Sequence, residues 1–172
     1  MYKKSVVVFA VIASLMCLPG CNNTKIEEII KNNKDSIVKG IAIVAEQGTA
    51  FGLKKWAKDN PGAAKEAAAA LAKNIKDELV PYFSGDGKLA ASSEVSEIIN
   101  SSLFKNVPDE VRIAIVSAAA ILDVYLPAPD SSTYLNADHV DYIKAFLGGV
   151  AKAADKLAGT ETWSIPDNKW IK

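Results

Sequence analysis

The sequence predicts an all-α protein, an irregular antiparallel bundle of five or six helices that follows a cleaved signal. Apolar residues recur at intervals of three, four or seven through most of the chain, which is the pattern of an amphipathic helix. Proline, glycine and asparagine divide this pattern into segments of helical length. No stretch alternates apolar and polar residues convincingly, and no repeat of fixed length is evident, so neither a sheet nor a solenoid is predicted.

The first long helix is predicted over about residues 36–58, after a shorter helix that starts near residue 26. Asp35 or Ser36 is the predicted N-cap, because short polar side chains accept hydrogen bonds from the first turn. The apolar stripe of the long helix is formed by Ile37, Val38, Ile41, Val44 and Phe51.

Gly48 and Gly52 lie four residues apart in this helix, a spacing that brings two backbones close together. Such a pair is typical either of close packing in a soluble bundle or of helix pairing in a membrane. Lys39 and Glu46 lie within the same segment, and charged side chains are rare in membrane spans. We therefore expect close packing in a soluble bundle.

A second helix is predicted over about residues 61–80. Asp59 and Asn60 are candidate caps, and Pro61 suits the first helical position because the missing N–H is not needed there. The predicted buried face consists of Ala64, Ala68, Leu71, Ile75 and Leu79. The loop predicted over residues 81–92 is similar to part of a calcium-binding loop, but Tyr82 and Ser93 occupy positions that need carboxylates, which favours a glycine-rich turn.

A further helix is predicted from Ser92 or Ser93 to about Phe104, and another opens with Pro108. Residues 111–126 contain only two charged side chains, so this segment is predicted to be the central helix, buried on most sides. Its predicted buried residues are Ile115, Val116, Ile121 and Leu122.

The last helix is predicted from about Ala137 to Leu157, with Asn136 as its N-cap and Gly159 at its end. Gly148 and Gly149 indicate a kink or a close crossing. Residues 160–172 form a tail that contains Trp163 and Trp170. Because exposed tryptophans are unfavourable, we expect the tail either to fold back on the bundle, which we favour, or to bind a partner.

The first twenty-one residues have the order of a secretory signal. Lys3 and Lys4 precede an uncharged run over residues 5–18, which is too short for the roughly 20 residues of a membrane span. The run closes on Leu18-Pro19-Gly20-Cys21. This ending resembles the lipobox of bacterial lipoprotein precursors, in which an aliphatic residue stands three positions before the cysteine and a small one directly before it; Pro19 departs from the usual residue.

The resemblance implies that Cys21 receives a diacylglycerol group and that cleavage leaves it as the first residue of the mature chain. Residues 1–20 are then the signal peptide, 21–24 a lipidated tether, 25–159 the helical domain and 160–172 the tail. In the sorting pattern of such proteins, aspartate after the cysteine favours retention in the inner membrane. Asn22 stands there, so in a host with two membranes the outer membrane is expected.

Composition limits the chemistry of the mature chain. Cys17 and Cys21 are the only cysteines, so disulfide scaffolds and cysteine-ligated zinc are excluded from the domain. The whole chain has 20 basic and 20 acidic residues, and removal of the signal takes away two lysines. With a slightly acidic mature chain and no long basic face, nucleic acid is not expected as a partner.

His139 is the only histidine, and it lies between Asp138 and Asp141. This group is a candidate for acid–base or metal chemistry, but acids in the first turn of a helix also favour the helix N-terminus electrostatically. No phosphate-binding loop, dinucleotide fingerprint or nucleophile elbow is present. We therefore predict no catalytic residue, no metal and no cofactor.

The predicted function is that of a lipid-anchored envelope protein without enzymatic activity. Its partners would be the membrane lipid, through acylated Cys21, and an envelope protein, with Trp163 and Trp170 as candidate partner-binding residues. Two alternatives remain open: a carrier of lipids or small hydrophobic ligands with a cavity inside the bundle, and an envelope enzyme such as a cell-wall hydrolase.

Overall fold

The computed structural model describes residues 32–83, 107–128 and 133–159. These residues form the helices α1 (Lys34–Ala57), α2 (Pro61–Asn74), α3 (Asp109–Ala119) and α4 (Ala137–Ala158). Within this part of the chain there is no strand, which confirms the all-α prediction. The predicted helices near residue 26 and over residues 92–104 lie outside the described residues.

Helix α4 is the central element of the described part. It packs along both α1 and α2, whereas α3 packs mainly against α1. The largest side chains that are almost fully buried are Ile37, Ile41, Leu53, Ile75, Leu79, Ile115, Leu135, Tyr142, Ile143, Phe146 and Leu147. The prediction that residues 111–126 form the central helix is therefore wrong.

The ion pairs between α1 and α4 show that these two helices run parallel. Lys34, at the start of α1, binds Asp138 and Asp141 at the start of α4. Glu46, twelve residues farther along α1, binds Lys152 and Lys156 towards the end of α4. The longest helix pair thus departs from the antiparallel arrangement predicted for the bundle.

Helices α1 and α4 approach most closely at Gly149. A Cβ atom at this position would overlap the carbonyl oxygen of Ala42 and would lie 2.9 Å from the Ala45 Cβ and 3.0 Å from the Glu46 nitrogen. Only glycine leaves room for the α1 backbone at this separation. Since α4 continues without a break through Gly149, the glycine pair marks a close crossing, one of the two predicted alternatives.

A second close crossing joins α1 and α3. A Cβ at Gly48 would lie 2.7 Å from the Ala118 Cβ, and one at Gly52 would lie 2.6 Å from the Ala114 Cβ. The order of these contacts makes α1 and α3 antiparallel. Close packing through Gly48 and Gly52 is confirmed, and none of the described helices is long and apolar enough to cross a membrane.

Helix α2 buries the face that its sequence predicts, because Ala64, Ala68, Leu71, Ile75 and Leu79 are all almost fully buried. After Asn74 the helix widens into a π-helical turn, Ile75–Leu79, in which the Val80 N–H bonds to the Ile75 carbonyl oxygen. A short α-helical segment, Val80–Tyr82, follows, so the helical structure extends two residues beyond the predicted end at Val80. Pro81 lies in the first turn of this short segment, where the N–H that proline lacks is not needed.

The segment predicted as the central helix breaks after its first half. Helix α3 ends at Ala119, and residues Leu122–Val124 form a 3₁₀ turn. The following Tyr125 packs on Tyr142 of α4, with ring centroids 5.4 Å apart.

Burial along this segment follows its packing against α1, its main neighbour among the described helices. The predicted burial of Ile115 and Leu122 is confirmed, Ile121 is half-buried, and Val116 is 51% exposed because it lies on the side away from α1. The prediction for Val116 is therefore wrong.

Some of the predicted helix caps are found in the structure and others are not. Asn136 caps α4, and Gly159 ends it with a left-handed φ of 76°. Helix α1 begins at Lys34, so Asp35 and Ser36 lie within its first turn and are not N-caps. Asn60 makes no side-chain cap for α2 and instead donates to the Trp56 carbonyl oxygen at 3.5 Å.

We predict that Gly149→Ala destabilises the domain by about 1–3 kcal/mol, because the added methyl forces α1 and α4 apart. The matched control is Gly62→Ala on α2, where a Cβ meets no atom within 4 Å. This change should leave the free energy of unfolding unchanged or raise it by up to about 1 kcal/mol, the helix-propensity difference. Urea denaturation of the two variants measures both effects; equal midpoints would contradict the close crossing.

Candidate functional site

Several candidate functional residues lie outside the described residues. These are the predicted lipidation site Cys21, the tail residues Trp163 and Trp170, and the glycine-rich segment 84–89. The group around His139 is described. The described residues also contain three clusters of ion pairs and an exposed face of α1, none of which was predicted from the sequence.

His139 takes part in the N-terminal cap of α4. The Asn136 Oδ1 accepts a hydrogen bond of 2.9 Å from the His139 N–H. In return, the Asn136 N–H donates to His139 Nδ1 at 3.2 Å. This reciprocal arrangement is a capping box in which histidine takes the place usually held by glutamate or glutamine. The contact needs an unprotonated Nδ1, so the neutral ring carries its proton on Nε2.

Burial lowers the pKa of His139, although the charge of neighbouring Asp138 partly opposes this shift. The neutral ring that the capping box requires is therefore also the form that the surroundings favour. With Nδ1 occupied, only Nε2 of this histidine is left for other chemistry. No group of three or more histidine, cysteine or acidic side chains suited to a metal ion occurs in the described part of the chain.

Asp138 and Asp141, the acids beside His139, bind Lys34 of α1. The Lys34 Nζ lies 2.5 Å from Asp138 Oδ1 and 2.6 Å from Asp141 Oδ2. Burial by itself lowers the pKa of Lys34, but hydrogen bonds and charge attraction from the two carboxylates outweigh it and raise the pKa above its usual value. The structure therefore places these acids in a contact that joins the starts of α1 and α4.

Glu46 joins the two helices farther along. Its carboxylate oxygens lie 2.9 Å from Lys152 Nζ and 2.5 Å from Lys156 Nζ. Burial tends to raise the pKa of Glu46, yet the hydrogen bonds from Lys156 and Lys152, with their positive charges, lower it below the ordinary value. The two lysines are four residues apart, which places both on the face of α4 that meets α1.

A third ion pair connects α4 with the π-helical turn after α2. Lys76 Nζ lies 2.9 Å from Asp155 Oδ1 and 2.8 Å from Oδ2. The Asp155 carboxylate is buried, with only 5% of its side chain exposed. A buried carboxylate without its cation is strongly destabilising, so Lys76 fixes how this turn meets α4.

The face of α1 that points away from α4 carries exposed apolar and basic side chains. Phe51, which the periodicity placed in the apolar stripe, is 69% exposed, so its predicted burial is wrong. Ile43 on the same helix is also exposed. Lys54, Lys55 and Lys58 follow Phe51 and are exposed as well. Among the residues of the predicted apolar stripe of α1, Phe51 is the one whose exposure differs most from the prediction.

Comparison with known proteins gives no relative: no protein-family model, no curated protein and no solved structure matches the chain.

The Glu46 cluster is expected to make the stability of the domain depend on pH. The folded state lowers the pKa of Glu46, so its contribution to stability is complete above the unfolded pKa of about 4.5 and is lost as the pH falls through the lower, folded value. We predict that Glu46→Gln reduces stability by about 1 kcal/mol near neutral pH, because it removes a partly exposed carboxylate from two lysines.

The difference in unfolding free energy between wild type and Glu46→Gln should therefore shrink as the pH is lowered below about 4. Chemical denaturation at a series of pH values measures it, with Glu66→Gln on the exposed face of α2 as control. A difference that stays constant, or grows, towards acid pH would show that Glu46 is not held in its charged form by Lys152 and Lys156.

Proposed function

We propose that the chain is a lipid-anchored protein of the bacterial cell envelope whose helical domain acts as a non-enzymatic interaction or scaffold module at the membrane surface. The observation that carries this proposal is the N-terminal sequence. Two lysines, an uncharged run and Leu18-Pro19-Gly20-Cys21 follow one another in the order of a lipoprotein signal. Acylated Cys21 then holds the domain to lipid, and Asn22 favours the outer membrane in a host that has two membranes.

The described residues support an interaction role in two ways. The single histidine is engaged in a helix cap, and the acids beside it bind Lys34 of α1, so this group serves the packing of α1 against α4. In addition, α1 and α3 expose large apolar side chains, of which Phe51 and Ile113 are the most exposed on these helices. Apolar surface of this kind is typical of contact sites.

We further propose that the complete domain is an irregular bundle of five or six helices, with one or two helices added to the four described. An envelope protein is the proposed partner, and the tail residues Trp163 and Trp170 are candidates for its binding site. A carrier of lipids or small hydrophobic ligands and a cell-wall hydrolase are the alternative functions. No observation on the described residues favours either of them.

The lipid anchor is tested by Cys21→Ser. We predict that this variant loses the acyl group and moves from the membrane fraction to the soluble fraction. The thiol lies outside the helical domain, so the melting temperature of the domain should not change. Intact-mass measurement of the protein recovered from each fraction gives the acylation state, and Cys17→Ser serves as the control that should remain anchored.

Persistence of the Ser variant in the membrane fraction as an unprocessed chain would contradict the lipobox interpretation. Residues 5–18 would then act as the anchor, although their length is below the roughly 20 residues of an ordinary span.

A further inference from the structure

The exposed face of α1 combines one large aromatic side chain with several lysines. Phe51 is 69% exposed. Lys54, Lys55 and Lys58 follow it at intervals of three, four and seven residues, and all three are exposed. Residues at these intervals lie on the same side of a helix. Phe51 and the three lysines that follow it therefore share one exposed surface, which we call the Phe51 surface.

The Phe51 surface continues towards the start of α1 with further exposed apolar and basic side chains. Ile43 and Lys39 are exposed nearer the start of the helix. Between Lys39 and Lys58 the only carboxylate of α1 is Glu46, and it faces α4, where Lys152 and Lys156 bind it. The exposed residues of α1 between Lys39 and Lys58 are thus four lysines, Ile43, Phe51 and the uncharged Gln47.

Helix α3 extends the apolar part of this surface. Gly52, the neighbour of Phe51, lies against Ala114, the neighbour of Ile113. Ile113 is 63% exposed, so two large apolar side chains flank the closest contact of α1 and α3.

Among the described residues, the acidic groups near this end of α1 come from the helix boundaries. Asp59 and Glu110 are exposed, while Asp109 forms an ion pair of 2.9 Å with Arg112. The lysines outnumber these carboxylates on the outer face of α1, so the surface keeps a positive character.

We propose that the Phe51 surface lies on an anionic phospholipid membrane. An aromatic side chain inserts at the level of the headgroups, and lysines beside it bind the anionic lipids while their methylene stems cover apolar surface. Each lysine close to an anionic leaflet strengthens such binding. Charge complementarity favours lipid over an apolar protein partner, because three neighbouring ammonium groups would otherwise have to lose their water.

This inference rests on the proposed lipid anchor, and the chain length is compatible with it. Twelve residues lie between Cys21 and Lys34, and this stretch spans up to about 45 Å when extended. Helix α1 rises by about 26 Å from Lys34 to Phe51. An anchor at Cys21 therefore permits α1 to lie along the membrane with Phe51 facing the lipid.

Lysine footprinting tests the proposal on the full mature protein. The protein is isolated from membranes and reconstituted in vesicles of phosphatidylcholine, with or without phosphatidylglycerol. A water-soluble acylating reagent then modifies accessible amines, which peptide mass spectrometry measures. In anionic vesicles the reactivity of Lys54, Lys55 and Lys58 should fall several-fold, whereas Lys65 and Lys73, exposed on α2, should react equally in both lipids.

Two treatments should restore the reactivity of the three lysines. Phe51→Ser removes the inserted ring at a position that is mostly exposed and therefore contributes little to packing. Raising the salt concentration to about 1 M shortens the screening length from about 10 Å to about 3 Å and weakens the attraction to lipid. Equal reactivity of the three lysines in both kinds of vesicle would overturn the proposal. Protection that is already present in detergent would also overturn it, by showing that another part of the protein covers the surface.

The same experiment separates this inference from the lipid anchor. The mass of the N-terminal peptide shows whether Cys21 is acylated. If it is not, the anchor proposal fails. The unacylated chain is then added to the same vesicles, where protection of Lys54, Lys55 and Lys58 in anionic lipid alone still supports the Phe51 surface, and its absence overturns it.

Discussion

The described structure depends on the parallel contact between α1 and α4 at Gly149. Without a side chain at this position, the backbones approach so closely that Ala42 and Ala45 of α1 lie directly against α4. The close approach brings the rows of apolar side chains on the two helices together. It also places Lys34 and Glu46 within reach of their partners on α4, because both ion-pair clusters need the same separation and the same register.

The other helices take their positions from this pair. Helix α2 packs along α4, and the buried pair Lys76–Asp155 fixes the turn that follows it. Helix α3 packs on a second side of α1 through Gly48 and Gly52. Since α4 and α3 occupy two sides of α1, a third side remains exposed, and that side carries Phe51 and its neighbouring lysines. The proposed membrane-facing surface is therefore a direct consequence of how the helices are arranged around α1.

The sequence predicts those features of the fold that depend on residues close together in the chain. The buried face of α2, the Asn136 cap, the glycine end of α4 and the close approach at Gly48 and Gly52 follow from periodicity and from the conformational properties of single residues. The segment 111–126 was predicted wrongly because its apolar composition gives no information on the number of neighbours. With mainly α1 beside it, α3 buries Ile115 and leaves Ile113 and Val116 exposed.

Helix direction and the ion-pair clusters could not be predicted from the sequence for a related reason. Lys34 and Asp138 are 104 residues apart, and Glu46 and Lys156 are 110 residues apart. No local pattern links residues at such distances. Phe51 was placed in the buried stripe because its spacing from Val44 fits a helix face. At this level of α1 the buried residues are Thr49, Gly52 and Leu53, because the packing against α3 and α4, and not the spacing from Val44, determines which side of the helix is covered.

The contact at Gly149 can be tested most directly by nuclear Overhauser effects in the folded domain. The parallel arrangement predicts cross-peaks between the Gly149 α protons and the Ala45 methyl group, since a Cβ at Gly149 would lie 2.9 Å from the Ala45 Cβ. It also predicts that the first turn of α1 shows contacts with the first turn of α4. Absence of the Gly149–Ala45 cross-peaks, together with contacts between the first turn of α1 and the last turn of α4, would contradict the parallel pair on which the fold and the exposed face of α1 depend.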